Sequence, residues 1–334
     1  MKKVGVLGIS GYTGLELLKI LNNHPKFEVC YLANTSGKGN IYEIFPSLIN
    51  VVKNMPIQKI NFDKIEELDL VFLALPHTES MKIVPKILES KTKVIDLSAD
   101  YRLSESNFNL NYSKHLDSTN LENAIYGLIE WNRENIKNAS LVANPGCYPT
   151  ASLLGILPFI RYLGDKSIFI DAKSGVSGAG KKLSDNTHYP NINDNIFSYS
   201  PLSHRHQIEI SEKISVFGKE DIKVNFIPHL SPFTRGMLVS IFAKLKEEID
   251  VLNVLKDCYQ NESFIRIKDN PVDVKSVSGT HFCDIFAKNN GADLFISVSI
   301  DNLLRGASSQ AVVNANLIFD FDETLGIPKI AYVP

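Results

Sequence analysis

The sequence predicts a two-domain protein, in which an α/β domain built on a parallel sheet is followed by an α+β domain with a mixed, largely antiparallel sheet. Three observations support this prediction. The chain has 334 residues, and domains commonly hold about 150. Short apolar runs alternate with helical patterns in the first half, as they do in parallel βαβ units. After Cys147, strand patterns follow one another with few helices between them, which is typical of an α+β domain.

The first half opens with a predicted buried strand at residues 3–8, followed by a helix at 14–23 with Leu15, Leu18 and Leu21 on one face. No repeat or low-complexity tract interrupts the pattern that follows. We place the first domain boundary near residue 147. The other predicted elements of this half are strands at 27–33, 69–75, 93–98 and 140–143 and a helix at about 78–90.

The second half is predicted to be rich in strands. Its helices are expected at about 206–215 and 251–260, and a last helical pattern at about 307–319 could pack on either domain. Residues 185–200 are polar and hold four Asn, so we expect a loop that covers a site. The predicted strands lie at 168–172, 224–228, 237–245, 264–267 and 294–300.

Charge and hydropathy argue against two classes of protein. The 35 Lys and Arg residues nearly balance the 37 Asp and Glu residues, so the chain lacks the dominant basic face of a nucleic-acid or anionic-membrane binder. No apolar run approaches the roughly 20 residues of a membrane span. The first ten residues resemble a signal peptide only briefly, because Gly5 and Gly8 interrupt them and no cleavage site follows. We therefore expect a cytoplasmic protein.

The four cysteines are widely spaced and include no CxxC pair. This pattern predicts neither a zinc site nor a dense disulfide scaffold, and we expect no bound metal. Reduced thiols that are mostly buried are the ordinary expectation for such residues. Cys30, Cys258 and Cys283 lie in strand-like or helical stretches and are predicted to be structural. Cys147 has a different context.

Glycines form a loop directly after the first predicted strand. Gly8, Gly11 and Gly14 in the stretch GISGYTG lead into the first helix. Glycines let the backbone approach a pyrophosphate, and the helix N-terminus offers N–H groups and a positive dipole. The spacing differs from GxGxxG, and a plain strand-to-helix turn would give the same pattern. Because the loop follows the first strand of the chain, we interpret the first half as a Rossmann-type dinucleotide-binding domain.

The segment after the second predicted strand favours NADP(H) as the cofactor. A free ribose 2′-hydroxyl usually meets an acidic residue about 20 residues past the glycines. Here the chain reads Asn34-Thr-Ser36-Gly-Lys38, with hydroxyls and a cation but no carboxylate. Ser36 and Lys38 suit a 2′-phosphate, although a turn with one solvated lysine is a nearly equal alternative.

Cys147 is the candidate nucleophile. Residues 141–150 read LVANPGCYPT and run from an apolar strand through a Pro-Gly turn into a helical pattern at 151–163. Cys147 is thus predicted at or just before a helix N-terminus. The helix dipole lowers the pKa of a thiol there and favours the reactive thiolate.

The densest histidine cluster supplies a candidate base for that thiol. It reads HRHQIE at 204–209. If a helix starts near His206, Glu209 lies three residues further on and can orient the imidazole. His204 lies just outside that helix and is predicted to contact substrate. A solvated turn with a glutamate at the helix start is the alternative, and the roles of the two histidines could be reversed.

Ten motifs, in order along the chain, resemble those of the N-acetyl-γ-glutamyl-phosphate reductase family. They run from residue 8 to about 312, and ANPGCYPT and HRHxxE together are specific. Departures are mild, namely YGLIE where the family tends to have YGLPE, and Arg305 where it often has Lys. The motifs are GxSGYTGxEL, ALPH (74–77), DLSADYRL (96–103), YGLIE (126–130), ANPGCYPT, SGVSGAGK (174–181), SHRHQIE, HLSPFTRGM (229–237), VSGTHFCDI (277–285) and DNLLRGASSQAV (301–312).

The resemblance implies an NADPH-dependent reduction of an acyl phosphate to an aldehyde in arginine biosynthesis. Cys147 would attack the γ-acyl phosphate, expel phosphate and form a thioester. Hydride from NADPH would reduce the thioester to a thiohemiacetal, which collapses to the semialdehyde. His206 would shuttle the proton, with Glu209 behind it.

The resemblance also implies contacts with the substrate and the cofactor. Arg102 would hold the phosphate, and His204 and Arg235 would contact the substrate, since guanidinium groups are the usual receptors for carboxylate and phosphate. Asn302 would lie near the nicotinamide. The implied cofactor-binding residues are Gly8, Ser10, Gly11, Tyr12, Thr13, Gly14, Ser36, Lys38, Pro76, Ser177, Gly178 and Asn302.

The family's domain arrangement implies an NADP-binding domain at 1–147 plus 307–334, because its last helix returns to the nucleotide domain. The catalytic and oligomerisation domain would be 148–306, and a homodimer or homotetramer is expected. One alternative is a sister reductase for aspartyl phosphate or a carrier-linked aminoadipyl phosphate. Another is a non-catalytic NADP-binding sensor, in which the cysteine or the histidine pair would be lost. Both are present here.

Overall fold

The computed structural model describes residues 1–333. The strands are β1 (Lys2–Leu7), β2 (Phe27–Ala33), β3 (Leu70–Leu73), β4 (Lys93–Asp96), β5 (Ile125–Tyr126), β6 (Leu141–Ala143), β7 (Ser167–Gly175), β8 (Phe197–Ser198), β9 (Lys223–Ser231), β10 (Met237–Lys244), β11 (Ile265–Ile267), β12 (Cys283–Asn290) and β13 (Asp293–Ile300). The α-helices are α1 (Tyr12–Asn22), α2 (Ile41–Ile44), α3 (Phe62–Ile65), α4 (Ser80–Leu88), α5 (Glu105–Asn111), α6 (Ser118–Asn123), α7 (Ile129–Lys137), α8 (Cys147–Ile156), α9 (Tyr189–Ile192), α10 (Arg205–Gly218), α11 (Val251–Tyr259) and α12 (Ser309–Ile318). Four 3₁₀ turns and one π-helical turn add Pro46–Leu48, Leu157–Tyr162, Val176–Ala179, Asp185–Thr187 and Leu304–Ser308.

The chain folds into two compact units. Unit 1 holds residues 1–145 and 307–327, and unit 2 holds 146–306 together with 328–333. The expected division assigned the whole of 307–334 to the first domain. The expected division also ended the first segment of that domain at 147, whereas Gly146 and Cys147 belong to unit 2. The structure differs again at 328–333, because Pro328 O accepts a hydrogen bond from His281 N and Tyr332 N donates one to Ser278 O.

Unit 1 contains a six-stranded sheet in the order β2-β1-β3-β4-β6-β5. Every neighbouring pair is parallel, as the alternation of strands and helices predicts. The four residues of β3 are all buried, which is typical of parallel strands covered on both faces. β2 pairs with one side of β1 and β3 pairs with the other side, so the chain crosses over β1 between β2 and β3. This reversal of strand order marks the carboxyl edge near β1 as the usual ligand-binding edge of such a sheet.

The helical elements of unit 1 support that edge. α1 buries Leu17, Leu18 and Leu21, whereas Leu15 of the predicted face is only half-buried. α12 packs against α1 and α7. Its Gln310 side chain donates a hydrogen bond to Gly127 O at 2.6 Å, so a buried amide group joins α12 to the loop after β5. β5 has only two residues, too few to give a periodic pattern, and the sequence did not reveal it.

Unit 2 contains a seven-stranded sheet in the order β11-β12-β13-β10-β7-β9-β8. It is mixed, since β7 runs parallel to β9 and β11 parallel to β12, while the other neighbouring pairs are antiparallel. The predicted mixed, largely antiparallel sheet is thus confirmed. β12 was not predicted as a strand, because Asp284, Lys288 and two asparagines dilute its apolar pattern.

The two faces of the unit 2 sheet differ. Helix α8 covers one face so closely that a Cβ atom on Gly155 would lie 2.7 Å from a Val298 methyl group. On the other face Phe169 is 56% exposed and Phe242 is 48% exposed. This unit therefore buries one side of its sheet against helices and presents aromatic side chains on the other. Along residues 1–333, no helix combines the length and the apolar character that crossing a membrane requires.

Candidate active site

The glycine loop of unit 1 is explained by close backbone approaches. Gly8 has a φ of 88°, and a Cβ atom there would lie 2.1 Å from Ala74 O at the end of β3. A Cβ atom on Gly14 would lie 2.7 Å from Gly8 O. Gly11 is the extended N-cap of α1. The first N–H groups of a helix have no acceptor within the helix, so this loop presents donors suited to a pyrophosphate.

A hydrogen-bonded turn links that loop to the end of β2. The Asn34 side chain donates to Ser10 Oγ at 2.7 Å, and its oxygen accepts from Ser36 Oγ and from Gly37 N. Ser36 and Lys38 are exposed. The structure thus places both predicted contacts of the 2′-phosphate in one exposed turn beside the glycine loop. The role of Asn34 in forming the turn was not recognised from the sequence.

The loop after β3 carries backbone strain. Thr78 has a φ of 72°, which is rare for a β-branched residue. Both oxygens of buried Asp100 accept hydrogen bonds from this loop, one from Thr78 N at 2.7 Å and the other from Met81 N at 3.0 Å. Pro76, a predicted cofactor contact, lies in the same loop and is exposed. Asp100 therefore holds the loop that carries Pro76.

Arg102 is only 5% exposed. Its Nε donates to Asn144 O and one of its terminal nitrogens donates to Leu97 O, both at 2.7 Å. The arginine is therefore not a solvated surface residue. The guanidinium group is fixed by backbone carbonyls near the carboxyl ends of β4 and β6.

Cys147 is the first residue of α8, which confirms its predicted place at a helix N-terminus. Gly146 is the extended N-cap, and every later residue of α8 is buried while Cys147 is half-buried. Gly306 approaches Cys147 closely, because a Cβ atom on Gly306 would lie 2.6 Å from Cys147 Cβ. The helix begins four residues earlier than predicted and continues as a 3₁₀ turn, Leu157–Tyr162.

Glu209 reaches the turn that carries this cysteine. Its carboxylate is 1% exposed, and Oε1 accepts a hydrogen bond from Gly146 N at 2.9 Å. The sequence suggested that Glu209 would orient His206. The structure shows a contact with the residue before Cys147, which helical spacing alone does not reveal.

His204 is the N-cap of α10. Its Nδ1 accepts a hydrogen bond from His206 N at 3.1 Å, so in the neutral ring the proton resides on Nε2. Burial, and then the charge of Arg205, lowers the pKa of His204 to about 4. His204 is therefore neutral at neutral pH.

Ring contacts bring the two histidines together beside Tyr148. The ring of Tyr148, which follows Cys147, lies 5.8 Å from that of His204 and 5.7 Å from that of His206. Tyr199 donates a hydrogen bond to the Tyr148 hydroxyl at 3.2 Å, and burial raises the pKa of Tyr199 to about 12. The sequence did not single out either tyrosine, because a tyrosine near a cysteine looks like any core aromatic residue.

Three predicted cofactor contacts lie together elsewhere in unit 2. The Asn302 amide donates to Ser177 Oγ at 3.0 Å and its oxygen accepts from Gly236 N at 2.6 Å. A Cβ atom on Gly178 would lie 3.6 Å from the Asn302 amide nitrogen. Next to Gly236, Arg235 pairs its Nε with a carboxylate oxygen of buried Asp301 at 2.9 Å. Nowhere in residues 1–333 do three His, Cys, Asp or Glu side chains gather to hold a metal ion.

The predicted residues thus form groups within each unit. Unit 1 holds the glycine loop, the Ser36–Lys38 turn, Pro76 and Arg102. Unit 2 holds the thiol with both histidines and Glu209, and separately Asn302 with its neighbours. The set of residues that includes Cys147 has the elements of covalent catalysis, namely a cysteine at a helix N-terminus and two imidazoles beside the residue that follows it.

Comparisons with known proteins define the class. The family described as "Semialdehyde dehydrogenase, NAD binding domain" matches residues 3–139, and "Semialdehyde dehydrogenase, dimerisation domain" matches 147–302. Aspartate semialdehyde dehydrogenase II from Vibrio cholerae, solved in complex with ASA, shares the fold with a TM-score of 0.74 and 19% identity over 96% of this chain and 98% of its own. The enzyme from Candida albicans, solved with NADP, gives 0.70 and 16% over 96% and 98%. The chain is therefore an oxidoreductase of the semialdehyde dehydrogenase class, and unit 1 is its nicotinamide-dinucleotide-binding part.

A curated relative narrows this class. N-acetyl-gamma-glutamyl-phosphate reductase from Wolinella succinogenes is 57% identical over 338 aligned positions, which cover 100% of both chains. The chain belongs to the N-acetyl-γ-glutamyl-phosphate reductase family.

Proposed function

We propose that this chain reduces N-acetyl-γ-glutamyl phosphate to N-acetylglutamate 5-semialdehyde and phosphate, with NADPH as the reductant, in arginine biosynthesis. The observation that carries the proposal is the thiol site in a chain of this family. Cys147 begins α8, and its neighbours Gly146 and Tyr148 contact Glu209 and the two histidines, respectively.

The first half of the proposed reaction forms a thioester. His206 takes the Cys147 proton, and the sulfur attacks the acyl carbon while the carbon–oxygen bond to phosphate breaks. His206 then passes the proton to the departing phosphate. The position of the sulfur at the N-terminus of α8 favours the thiolate.

In the second half, NADPH supplies a hydride to the thioester carbonyl carbon when it is bound. His206, which first takes up one proton from solvent, protonates the resulting alkoxide to give the thiohemiacetal and removes that proton again as the carbon–sulfur bond breaks. The semialdehyde leaves, and His206 returns the proton to the Cys147 thiolate. The site therefore needs one residue that gains and loses a proton near neutral pH.

The capping contact supports assigning that role to His206. His204 uses Nδ1 to cap α10, and its pKa of about 4 keeps the ring neutral. It can still donate from Nε2 to a substrate oxygen, which suits a binding role. His206 is the other imidazole beside Tyr148.

Two guanidinium groups are proposed for the anionic substrate. Arg102 is assigned to the phosphate and Arg235 to a substrate carboxylate. Each is oriented by an acceptor within its own unit, namely two backbone carbonyls for Arg102 and Asp301 for Arg235. Fixed orientation matters here because bidentate recognition depends on geometry.

NADP(H) is proposed in preference to NAD(H). The turn that carries Ser36 and Lys38 holds hydroxyls and a cation, is exposed, and is joined through Asn34 to the glycine loop. A ribose 2′-phosphate complements such a turn, whereas a diol usually meets a carboxylate. We further assign Asn302, Ser177 and Gly178 to the nicotinamide end.

A second copy of the chain is the proposed protein partner, in a homodimer or homotetramer. The exposed face of the unit 2 sheet, with Phe169 and Phe242, is the proposed contact. Large exposed apolar patches commonly mark interaction sites, and the matched family at 147–302 is described as a dimerisation domain. We place the reaction in the cytoplasm, where a thiol such as Cys147 is kept reduced.

The test is a panel of aldehydes assayed in the reverse direction. Phosphate-dependent reduction of NADP⁺ is measured with N-acetylglutamate semialdehyde, aspartate semialdehyde and a carrier-linked aminoadipate semialdehyde. We expect the first to give the highest kcat/KM, and a preference for either of the others would assign the chain to the sister reaction. Absence of reduction with all three would favour a sensor, with Cys147→Ser as the inactive control.

A further inference from the structure

The VSGTHFCDI motif at 277–285 receives no role from the chemistry above. In the structure its turn holds the segment 328–333. His281 N donates a hydrogen bond to Pro328 O at 3.0 Å, and Tyr332 N donates one to Ser278 O at 2.8 Å. These two backbone contacts fix both ends of the segment on unit 2.

Gly279 brings the Tyr332 ring into the motif. Its φ is 88°, a conformation that favours glycine. A Cβ atom there would lie 2.8 Å from the nearest carbon of the Tyr332 ring. Any larger residue would displace the ring. Glycine at this position therefore permits both the backbone conformation of the turn and the close packing of the Tyr332 ring.

The same ring lies on Arg235. The guanidinium carbon is 5.4 Å from the ring centroid, within the range of a cation–π contact. The edge of the guanidinium forms an ion pair with Asp301, which is fully buried. Asp301 also accepts a hydrogen bond from Gly279 N at 2.7 Å. Tyr332, Gly279, Asp301 and Arg235 therefore form one connected cluster, called here the Tyr332 cluster.

We infer that Tyr332 is a positioning residue for the substrate, acting through Arg235. The buried carboxylate restrains one edge of the guanidinium and the ring restrains one face, so Arg235 is held in a single orientation before substrate arrives. This inference rests on the proposed function, in which Arg235 binds a substrate carboxylate. Tyr332 is 55% exposed, and a cation–π contact at an exposed site is worth about two- to fivefold in affinity.

The experiment compares Tyr332→Ala with Tyr332→Phe, and with Ile330→Ala as the matched control on the same segment. Ile330 is 85% exposed, so its truncation should change nothing. We expect Tyr332→Ala to raise KM for the acyl phosphate about two- to fivefold, with kcat and KM for NADPH unchanged. Tyr332→Phe keeps the ring and should match the unsubstituted protein.

A double-mutant cycle with Arg235→Gln separates this role from a general structural one. If Tyr332 acts through Arg235, Tyr332→Ala adds no further rise in KM to Arg235→Gln. An unchanged KM in Tyr332→Ala, a full additional effect in the double variant, or equal losses in the Ala and Phe variants would each overturn the inference.

A substrate-free measurement distinguishes failure of this inference from failure of the proposed function. Phenylglyoxal modifies exposed arginines, and the Arg235 peptide can be followed by mass spectrometry. Tyr332→Ala should speed modification of Arg235, while Ile330→Ala should not. If the protein reduces no acyl phosphate, the proposed function fails while this rate still reports on the contact. An unchanged modification rate rejects the positioning role.

Discussion

Replacing Glu209 by Gln tests how the carboxylate acts on Cys147. Glu209 is buried and accepts a hydrogen bond from Gly146 N at 2.9 Å. The charge of a carboxylate at this position opposes formation of the thiolate, while its hydrogen bond fixes the turn. Gln retains an oxygen acceptor and removes the charge. We therefore expect Glu209→Gln to lower the pKa of the Cys147 thiol.

The size of this shift follows from the separation of the two groups. The carboxylate is hydrogen-bonded to the residue next to Cys147, and consecutive Cα atoms are about 3.8 Å apart, so we adopt a separation of about 6 Å for the calculation. At about 6 Å and an effective dielectric constant of about 20, two negative charges repel by about 2.8 kcal/mol, or about two pH units. Cys147 is half-buried, so solvent screening reduces the expected shift to about one pH unit.

The assay is the rate of iodoacetamide alkylation of the Cys147 peptide as a function of pH, read by mass spectrometry. Cys258 is exposed and serves as an internal reference in the same chain. Because His206 also influences the thiol, the comparison is made in a His206→Asn background as well. In that background too, Glu209→Gln should lower the pH midpoint of Cys147 alkylation, because the carboxylate acts on the thiol directly.

Glu209→Leu is the matched variant that removes both the charge and the acceptor. It leaves the Gly146 N–H group buried and unpaired, which costs about 1–3 kcal/mol, so its melting temperature should fall below that of Glu209→Gln. An alkylation midpoint that stays constant or rises in Glu209→Gln, in the His206→Asn background, would refute the electrostatic reasoning. Equal stability of the Gln and Leu variants would refute the hydrogen-bonding role.

Four other predictions concern the thiol site and the cofactor turn. Cys147→Ser should lower turnover by orders of magnitude, and no acyl-enzyme should be trapped when acyl phosphate is added without NADPH; near-normal turnover would rule out the thioester. His206→Asn should lower kcat about a hundred- to ten-thousandfold and remove one limb of the pH–rate profile. His204→Asn should mainly raise KM, and the reverse pattern would exchange the roles of the two histidines. The pKa of His204 falls from 6.5 to about 4 on folding, so the unfolded chain binds this proton first and the protein loses stability as the pH drops from 6.5 to about 4. His204→Asn keeps an N-cap, and its melting temperature should fall less steeply with decreasing pH. The same dependence of melting temperature on pH in both proteins would contradict this prediction. Lys38→Ala should weaken NADPH binding more than NADH binding, and equal losses would remove Lys38 from the 2′-phosphate.

Local patterns in the sequence predicted much of this protein. The alternation in the first half gave the parallel strands of unit 1, and the glycines after β1 predicted the loop at its carboxyl edge. The Pro-Gly turn before Cys147 predicted a helix N-terminus, and α8 begins at that residue. Each of these features depends on residues that are close together in the sequence, within a single turn, strand or helix. Hydrophobic periodicity and turn preferences are therefore sufficient to reveal them.

Contacts between distant residues were decided by the tertiary structure. Glu209 and Gly146 are separated by 63 positions, and no local pattern indicates that a carboxylate on α10 accepts a hydrogen bond from the turn before α8. The histidine pair illustrates the same limit, since the sequence indicated the cluster but not that His204 caps α10 and remains neutral through burial.

The sequence by itself determined the two-domain architecture, the glycine loop and the cysteine at a helix start, because hydrophobic periodicity and turn preferences act over a few neighbouring residues. Tertiary structure alone decided that Asp301 and Tyr332 hold Arg235 and that residues 328–333 pack on unit 2. Buried charges and aromatic faces find their partners only when separate elements pack together, and that packing brings residues from distant parts of the chain into contact.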